Sequence, residues 1–157
     1  MRGVAFLIVI GAASVSALVA AQVAGIAGGE NPNRAHINFV LKCQGCHGAD
    51  AAGTLNGSPA MAGTVAKFLR VPEGREYLAR VPGVATTALD NTQLAELLNW
   101  TLDRFDRENI PAGFKPYSAD EIGLLRLRPL RTEAAAFRQR LVADPAFQHT
   151  GEQAPGH

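Results

Sequence analysis

The chain is predicted to be all-α, and three observations lead to this fold class. Residues that cap helices stand just before apolar residues at helical spacing in several parts of the chain. Glycine and proline divide these segments into short helices. No stretch of useful length alternates apolar and polar residues as a strand does. At 157 residues, the chain can form one compact domain with a further segment.

The first predicted helix begins after Asn31, which can act as N-cap to Pro32 at the first helical position. This helix would run directly into Cys43. Apolar residues at helical spacing, with a phenylalanine beside them, predict that one face joins the core: Ile37, Phe39, Val40 and Leu41.

A second well-marked helix is predicted over residues 91–104. Asp90 is a suitable N-cap, and Gln93 stands three residues later, as in a capping box. This helix carries Trp100, for which a core position is expected. It also carries an apolar stripe that predicts burial of one face: Leu94, Leu97, Leu98 and Leu102.

Four shorter helices complete the prediction. Two lie between the long helices, over residues 65–70 and 72–80. A third begins after Ser118, with Glu121 placed to complete a capping box. The last covers residues 132–142. The final two are too short to form a core of their own, so we expect them to wrap the preceding domain.

The N-terminal stretch resembles an export signal. Arg2 precedes residues 3–29, which carry no charge, and small residues stand at Ala21 as at a signal cleavage site. We therefore predict a signal peptide over residues 1–21. The alternative is an uncleaved membrane anchor that reaches about residue 29, since the apolar stretch is long enough to span a bilayer. Both interpretations predict export to the periplasm.

The charge balance argues against nucleic-acid binding. The chain has 15 Lys and Arg and 14 Asp and Glu, and removal of Arg2 with the signal leaves 14 of each sign. A nucleic-acid-binding domain would show a basic excess.

The motif that indicates function is Cys43-Gln44-Gly45-Cys46-His47, which contains both cysteines of the chain. C-x-x-C-H is a covalent haem-attachment signal: each thiol adds to one haem vinyl group, and the adjacent imidazole binds the iron. A thioredoxin-like redox pair would be expected in a βαβ context, which is absent from the predicted elements. A zinc site would need further ligands, and the chain has no other cysteine.

With these features, the chain resembles the class I, mitochondrial-type and bacterial single-haem cytochromes c. In that family an aromatic residue stands four positions before the first Cys, where this chain has Phe39. A proline about a dozen residues after the ligand His accepts the His Nδ1–H, and Pro59 holds that place after His47. The family's last helix crosses the first, often with an aromatic residue at the position of Trp100.

The resemblance implies a cytochrome c-like haem domain over residues 30–108, followed by a two-helix C-terminal extension and polar tail over residues 109–157. It implies one covalent haem c, held by Cys43 and Cys46, with His47 as the proximal iron ligand. Phe39, Pro59, Met61 and Trp100 are the further residues expected around the haem.

The chain departs from the family at the sixth iron ligand. The family's ligand Met lies in a loop before the last helix, but residues 81–89 contain no Met, His, Cys or Lys. Apart from Met1, the only methionine is Met61, where the family usually has an aliphatic residue that packs on the haem. Met61 is therefore either a packing residue or the distal ligand in a remodelled loop, and an open iron site is a third alternative. Other residues are weaker candidates: His36, Lys67, His149 and His157.

The C-terminal extension is rich in arginine. Its cations face a single nearby acid, Glu133, and three roles remain open for them: a solvated surface, pairing with haem propionates, or docking of an acidic partner. They are Arg126, Arg128, Arg131, Arg138 and Arg140.

The sequence thus predicts an exported carrier of one electron between redox partners, such as a periplasmic dehydrogenase or a copper protein. One alternative is a haem subunit of a larger periplasmic dehydrogenase complex. Another is an open-site haem protein that binds small ligands. Catalysis is not expected, because no distal His that could act as an acid or base is evident.

Overall fold

The computed structural model describes residues 31–55 and 57–149, so the signal or anchor segment and the end of the polar tail lie outside the described residues. Within these ranges all regular structure is helical, which confirms the all-α prediction. The α-helices are α1 (Pro32–Lys42), α2 (Gln44–His47), α3 (Gly74–Arg80), α4 (Pro82–Ala85), α5 (Asn91–Asp106), α6 (Ala119–Leu125), α7 (Ala134–Val142) and α8 (Pro145–Gln148). Two 3₁₀ helices cover Val65–Arg70 and Arg107–Asn109. No helix in the described part combines the length and hydropathy needed to cross a membrane.

Helix α1 begins as its sequence predicts. The Asn31 side chain accepts the Arg34 backbone N–H at 2.9 Å, and Pro32 occupies the first turn. The helix packs on α5. There the Arg34 guanidinium donates to both carboxylate oxygens of the buried Glu96, at 2.8 and 2.6 Å. This pair fixes the two long helices against each other.

Helix α5 has the predicted capping box. The Asp90 carboxylate accepts the Gln93 N–H at 2.8 Å, and the Gln93 side chain accepts the Asp90 N–H at 3.3 Å. The helix continues to Asp106, two residues past the predicted end. Asp106 is buried and its carboxylate accepts the Ala66 N–H at 2.7 Å, which ties the end of α5 to the 3₁₀ helix.

The middle of the chain differs in detail from its prediction. Residues 65–70 form a 3₁₀ helix rather than an α-helix. Helix α3 begins at Gly74 instead of Pro72, because Glu73 has a left-handed backbone with φ of 64°. A Cβ on Gly74 would lie 1.8 Å from the Phe68 carbonyl oxygen, so this close approach of two backbones requires glycine.

The extension as far as residue 149 forms three α-helices where two are predicted. Helix α6 is capped by Ser118, whose hydroxyl accepts the Glu121 N–H at 3.2 Å. Helix α8 is additional, and Asp144 caps it by accepting the Ala146 N–H at 2.8 Å. It was not predicted because its four residues are too few to show a helical period.

One hydrophobic core runs through the helices before residue 109 and through the C-terminal extension. Phe39 and Leu94 represent the first part, at the α1–α5 contact. The core prediction for the apolar residues of α1 is confirmed for Phe39 and is wrong for three others, which lie on the exposed side of the helix: Ile37, Val40 and Leu41. The extension adds a set of buried side chains to the same core: Tyr117, Ile122, Leu125, Leu130, Leu141 and Phe147.

Candidate haem site

The C-x-x-C-H segment forms a tight turn that continues α1. The Cys43 N–H donates to the Phe39 carbonyl at 2.8 Å, and the Cys46 and His47 N–H groups donate to the Cys43 carbonyl at 3.1 and 3.0 Å. Both cysteines and His47 line one cavity. The local backbone therefore brings two thiols and an imidazole to the same space.

The imidazole of His47 is oriented by Pro59. Its Nδ1 lies 3.0 Å from the Pro59 carbonyl oxygen, an acceptor that selects the tautomer with a proton on Nδ1. That tautomer leaves Nε2 unprotonated and able to bind a metal. A hydrogen bond of this kind also raises the basicity of the ligating nitrogen.

The cavity has a volume of about 490 Å³, within the range of small-molecule and cofactor pockets. Its size and apolar walls fit a flat macrocycle that the two thiols could anchor. Besides the three motif residues, the lining comprises Lys42, Ser58, Pro59, Ala60, Met61, Val65, Phe68, Tyr77, Leu78, Val81, Pro82, Gly83, Val84, Leu97, Leu98, Thr101, Ala134, Ala135 and Arg138.

The two thiols differ in environment. Burial raises the pKa of the Cys43 thiol, and the neighbouring Cys46 raises it further. Cys46 is exposed and marks the open edge of the cavity. Within residues 31–55 and 57–149, no group of three or more Cys, His, Asp or Glu side chains is placed to hold a metal ion.

Met61 lines the cavity from the segment that supports His47. Its N–H donates to the Ala51 carbonyl at 2.8 Å, and the Ala51 N–H donates to the Gly48 carbonyl at 3.2 Å. These bonds join the backbone of Met61 to the turn that follows His47. Pro59 and Met61 thus line the cavity from one short segment that is joined to the His47 turn.

Phe39 and Trp100 lie outside the cavity lining. Phe39 is buried between α1 and α5, with its ring centroid 5.5 Å from that of Trp100 and 4.9 Å from that of Phe105. Trp100 also stacks on His36, at 5.4 Å between centroids. The aromatic cluster packs the helices that support the haem-attachment turn.

The loop over residues 81–89, which has no methionine, contacts both the cavity and the C-terminal extension. Val81 and Val84 line the cavity. The remainder is held by the Arg126 guanidinium, which donates to the carbonyls of Ala85, Thr87 and Leu89 at 3.2, 2.5 and 2.8 Å. An arginine of the extension thus fixes the loop from outside.

Helix α7 is the part of the site that the sequence did not reveal. Ala134, Ala135 and Arg138 lie on one face of α7 and complete the cavity wall. The helical spacing of these three residues is visible in the sequence, but the identity of the surface opposite them is not. The other arginines of the extension serve elsewhere: Arg140 pairs with Glu73 at 2.7 Å.

A helical fold with a C-x-x-C-H turn at the edge of an apolar cavity is the arrangement of a protein that carries covalently attached haem. No protein-family model matches the chain. It is similar to Cytochrome c-552 of Thermus thermophilus, with 30% identity over 107 residues that cover 57% of this chain and 82% of the relative. A second Cytochrome c-552, from a named strain of Thermus thermophilus, also shows 30% identity over 107 residues, which cover 72% of its length. The chain belongs to the cytochrome c family.

Proposed function

We propose that this protein is a class I single-haem electron carrier, with Cys43 and Cys46 holding haem c and His47 as proximal iron ligand. The observation that supports this most directly is the convergence of both thiols and the imidazole on one apolar cavity of about 490 Å³. When bound, haem supplies an iron that alternates between the ferric and ferrous states and so carries one electron.

The chain's own residues would prepare and shield that site. Pro59 holds the His47 tautomer, which leaves Nε2 available to the iron. The apolar walls restrict water, which influences the reduction potential. Cys46 is exposed, so the attachment edge opens to the surface, where a redox partner can approach.

A second candidate, a haem protein that binds small ligands, is favoured by the placement of Met61. Met61 stands two residues after Pro59 on the segment joined to the His47 turn, so in this proposal it packs beside His47 instead of binding the iron. The lining contributed by α3 and α7 offers Tyr77 and Arg138 as its polar groups. Neither is a usual sixth ligand of an electron-carrying cytochrome c.

The test is the absorption spectrum of the purified holoprotein in both oxidation states, for wild type and Met61→Ala. In this family a weak ferric charge-transfer band marks a Met–iron bond. A low-spin wild type that keeps its spectrum in Met61→Ala supports an electron carrier with Met61 as a packing residue. Loss of the band in the variant would instead make Met61 the ligand. A high-spin ferric wild type that binds carbon monoxide readily when reduced would favour the ligand-binding candidate.

Covalent attachment has its own test. Cys43→Ala and Cys46→Ala should each leave one thioether, and the double variant should release all haem on acid–acetone extraction. Retention of haem by the double variant would overturn the attachment proposal. Ser58→Ala, which also lies in the cavity wall, is a matched control that should retain the haem.

We place the donor and acceptor among exported redox proteins, such as a periplasmic dehydrogenase or a copper protein, with a subunit role in a larger complex as the alternative. Arg128 and Arg131 are exposed on the extension and are available to an acidic partner. Purification from the native source distinguishes the two roles, because a subunit would elute with its dehydrogenase. A free carrier would elute alone.

A further inference from the structure

Part of the otherwise largely apolar cavity lining consists of a charged and a phenolic side chain. Arg138 on α7 and Tyr77 on α3 both line the cavity. The guanidinium carbon of Arg138 lies 5.8 Å from the centre of the Phe68 ring, so the cation rests over an aromatic face inside the pocket. Burial raises the pKa of the Tyr77 phenol, and the nearby charge of Arg138 opposes that rise.

The acids on the elements that pack against α7 are engaged by other groups, whereas Glu133, the N-cap residue of α7 itself, is exposed and its side chain caps no backbone N–H. Helix α7 packs on α3 and α8. On those elements, Glu73 pairs with Arg140 at 2.7 Å and Glu76 with Arg80 at 3.5 Å, while Asp144 caps α8. Within the described part of the chain, no hydrogen bond or ion pair involves the Arg138 guanidinium. A cation in a largely apolar pocket is stabilised by an anion at hydrogen-bond distance.

We infer that Arg138 binds a propionate carboxylate of the haem, so that the C-terminal extension supplies the cofactor's counter-charge. This inference rests on the proposed attachment through Cys43 and Cys46. Haem carries its propionates on the edge opposite the vinyl groups that form the thioethers. The cavity lining has two cations, and Lys42, which directly precedes Cys43, belongs to the thioether edge. Arg138 is the lining cation that remains for the propionate edge.

The contact would connect cofactor and extension. Helix α7 already packs on the cavity wall through Phe137, whose ring stacks on Tyr77 at 5.8 Å between centroids and 10° between planes. A planar guanidinium can bind a carboxylate through two parallel hydrogen bonds, whereas a lysine ammonium is a point charge. Arg138 would therefore act as a positioning residue for the propionate edge of the haem.

The experiment measures midpoint potential against pH for holoprotein carrying Arg138→Gln, Arg138→Lys or, as a control, Arg131→Gln. Arg131 lies exposed on the same extension and outside the cavity lining. A propionate paired with Arg138 keeps a low pKa and adds no pH dependence between about pH 5 and 8, so wild type and Arg131→Gln should share the same potential profile. In Arg138→Gln the unpaired propionate gains a raised pKa. The midpoint potential of Arg138→Gln should therefore fall more than that of wild type as pH rises through that range, because the ionised carboxylate favours ferric iron.

Arg138→Lys retains the charge and should lie close to wild type. A pH profile of Arg138→Gln parallel to wild type would overturn the inference. If the pH profile of Arg138→Gln is unchanged and the ferric variant also loses azide affinity, Arg138 faces the iron and the inference is overturned. If Arg138→Gln does not fold, proton NMR of wild type is sufficient: one propionate should fail to titrate between about pH 5 and 8, and titration of both would reject the pairing. Arg138→Gln that folds should keep covalent haem and reversible reduction, which separates this inference from the proposed function.

Discussion

At the residue scale, the described structure contains one buried ion pair whose two partners differ in solvent contact. Glu96 is 1% exposed as a residue, whereas the Arg34 side chain is 41% exposed. Removing a cation from a buried carboxylate leaves a charge without compensation, whereas removing the carboxylate leaves an arginine that water can reach. We therefore expect substitution of Arg34 to lower the free energy of unfolding more than substitution of Glu96.

Arg34→Met should lower the free energy of unfolding by about 3–5 kcal/mol, because it leaves the Glu96 carboxylate buried. Glu96→Gln keeps an acceptor and should cost about 1–2 kcal/mol. Urea denaturation of the holoprotein measures both. Arg107→Met is the control, since Arg107 pairs with Asp103 on an exposed helix face and should change stability by about 0.5 kcal/mol or less. Equal losses of unfolding free energy in Arg34→Met and Arg107→Met would show that the buried Glu96 carboxylate does not need its arginine.

Asp106 predicts a pH dependence of stability. Burial raises the pKa of its carboxyl group, against the opposing effect of hydrogen bonds from Asn109 and the Ala66 N–H. The folded state therefore binds the proton more tightly than the unfolded state. Its contribution is complete below the unfolded pKa of about 3.9 and is lost as pH rises through the folded pKa.

The stability of wild type relative to Asp106→Asn should therefore decline as pH rises across the acidic range. Urea midpoints of the two proteins, measured at a series of pH values, give this difference directly. A difference that grows with pH would mean that the hydrogen bonds outweigh burial at this carboxylate.

At the element scale, the extension is joined to the haem domain by arginines that reach backbone carbonyls. Arg126 holds the loop after α4 through three carbonyl oxygens, and the Arg80 side chain donates to the Arg128 carbonyl at 2.7 Å. The Leu130 N–H returns a bond to the Arg80 carbonyl at 2.8 Å. These contacts lie shortly before α7 in the chain, and α7 lines the cavity, so we expect the geometry of the candidate haem site to depend on them.

Arg126→Met should lower the free energy of unfolding by about 2–3 kcal/mol, because several charge-assisted hydrogen bonds to the loop are lost at once. Arg128→Met is the matched control. Arg128 is exposed and is used through its backbone carbonyl, so its side chain should matter by no more than about 0.5 kcal/mol. Thermal unfolding followed by helical circular dichroism compares the two variants. A similar loss of stability in Arg126→Met and Arg128→Met would show that the Arg126 side chain does not hold the loop.

At the scale of the whole molecule, the extension and the haem domain share one core. Phe147 of α8 contacts Phe68 of the cavity wall, with 4.8 Å between ring centroids, and both side chains are buried. Elements that share buried contacts of this kind should unfold as a unit. The C-terminal helices are thus expected to melt together with the haem environment.

Phe147→Ala should cost about 3–5 kcal/mol, as for a core phenylalanine, although it lies far along the chain from the haem-attachment motif. Haem absorbance and helical circular dichroism should report the same lowered midpoint. The exposed Leu127 provides the control, since Leu127→Ala removes little buried surface. Two separated transitions in wild type would show that the extension is an independent unit.

Features that depend on neighbouring residues could be predicted from the sequence. Two thiols and an imidazole within five positions define the attachment turn, and short-range caps at Asn31 and Asp90 define where α1 and α5 begin. These signals are readable because the interacting groups stand three or four residues apart. The hydrogen-bond distance between His47 and Pro59 agrees with the family resemblance, which supplied that pairing where local spacing could not.

Which remote surfaces meet could be seen only in the folded chain. The 3₁₀ form of Val65–Arg70 and the start of α3 at Gly74 follow from packing between neighbouring backbones. The five arginines of the extension look alike in sequence, yet Arg126 binds a loop and Arg138 enters the cavity wall. Contacts over such chain separations leave no periodic signal, because their energy depends on the shape of the opposing surface and not on the residues alongside.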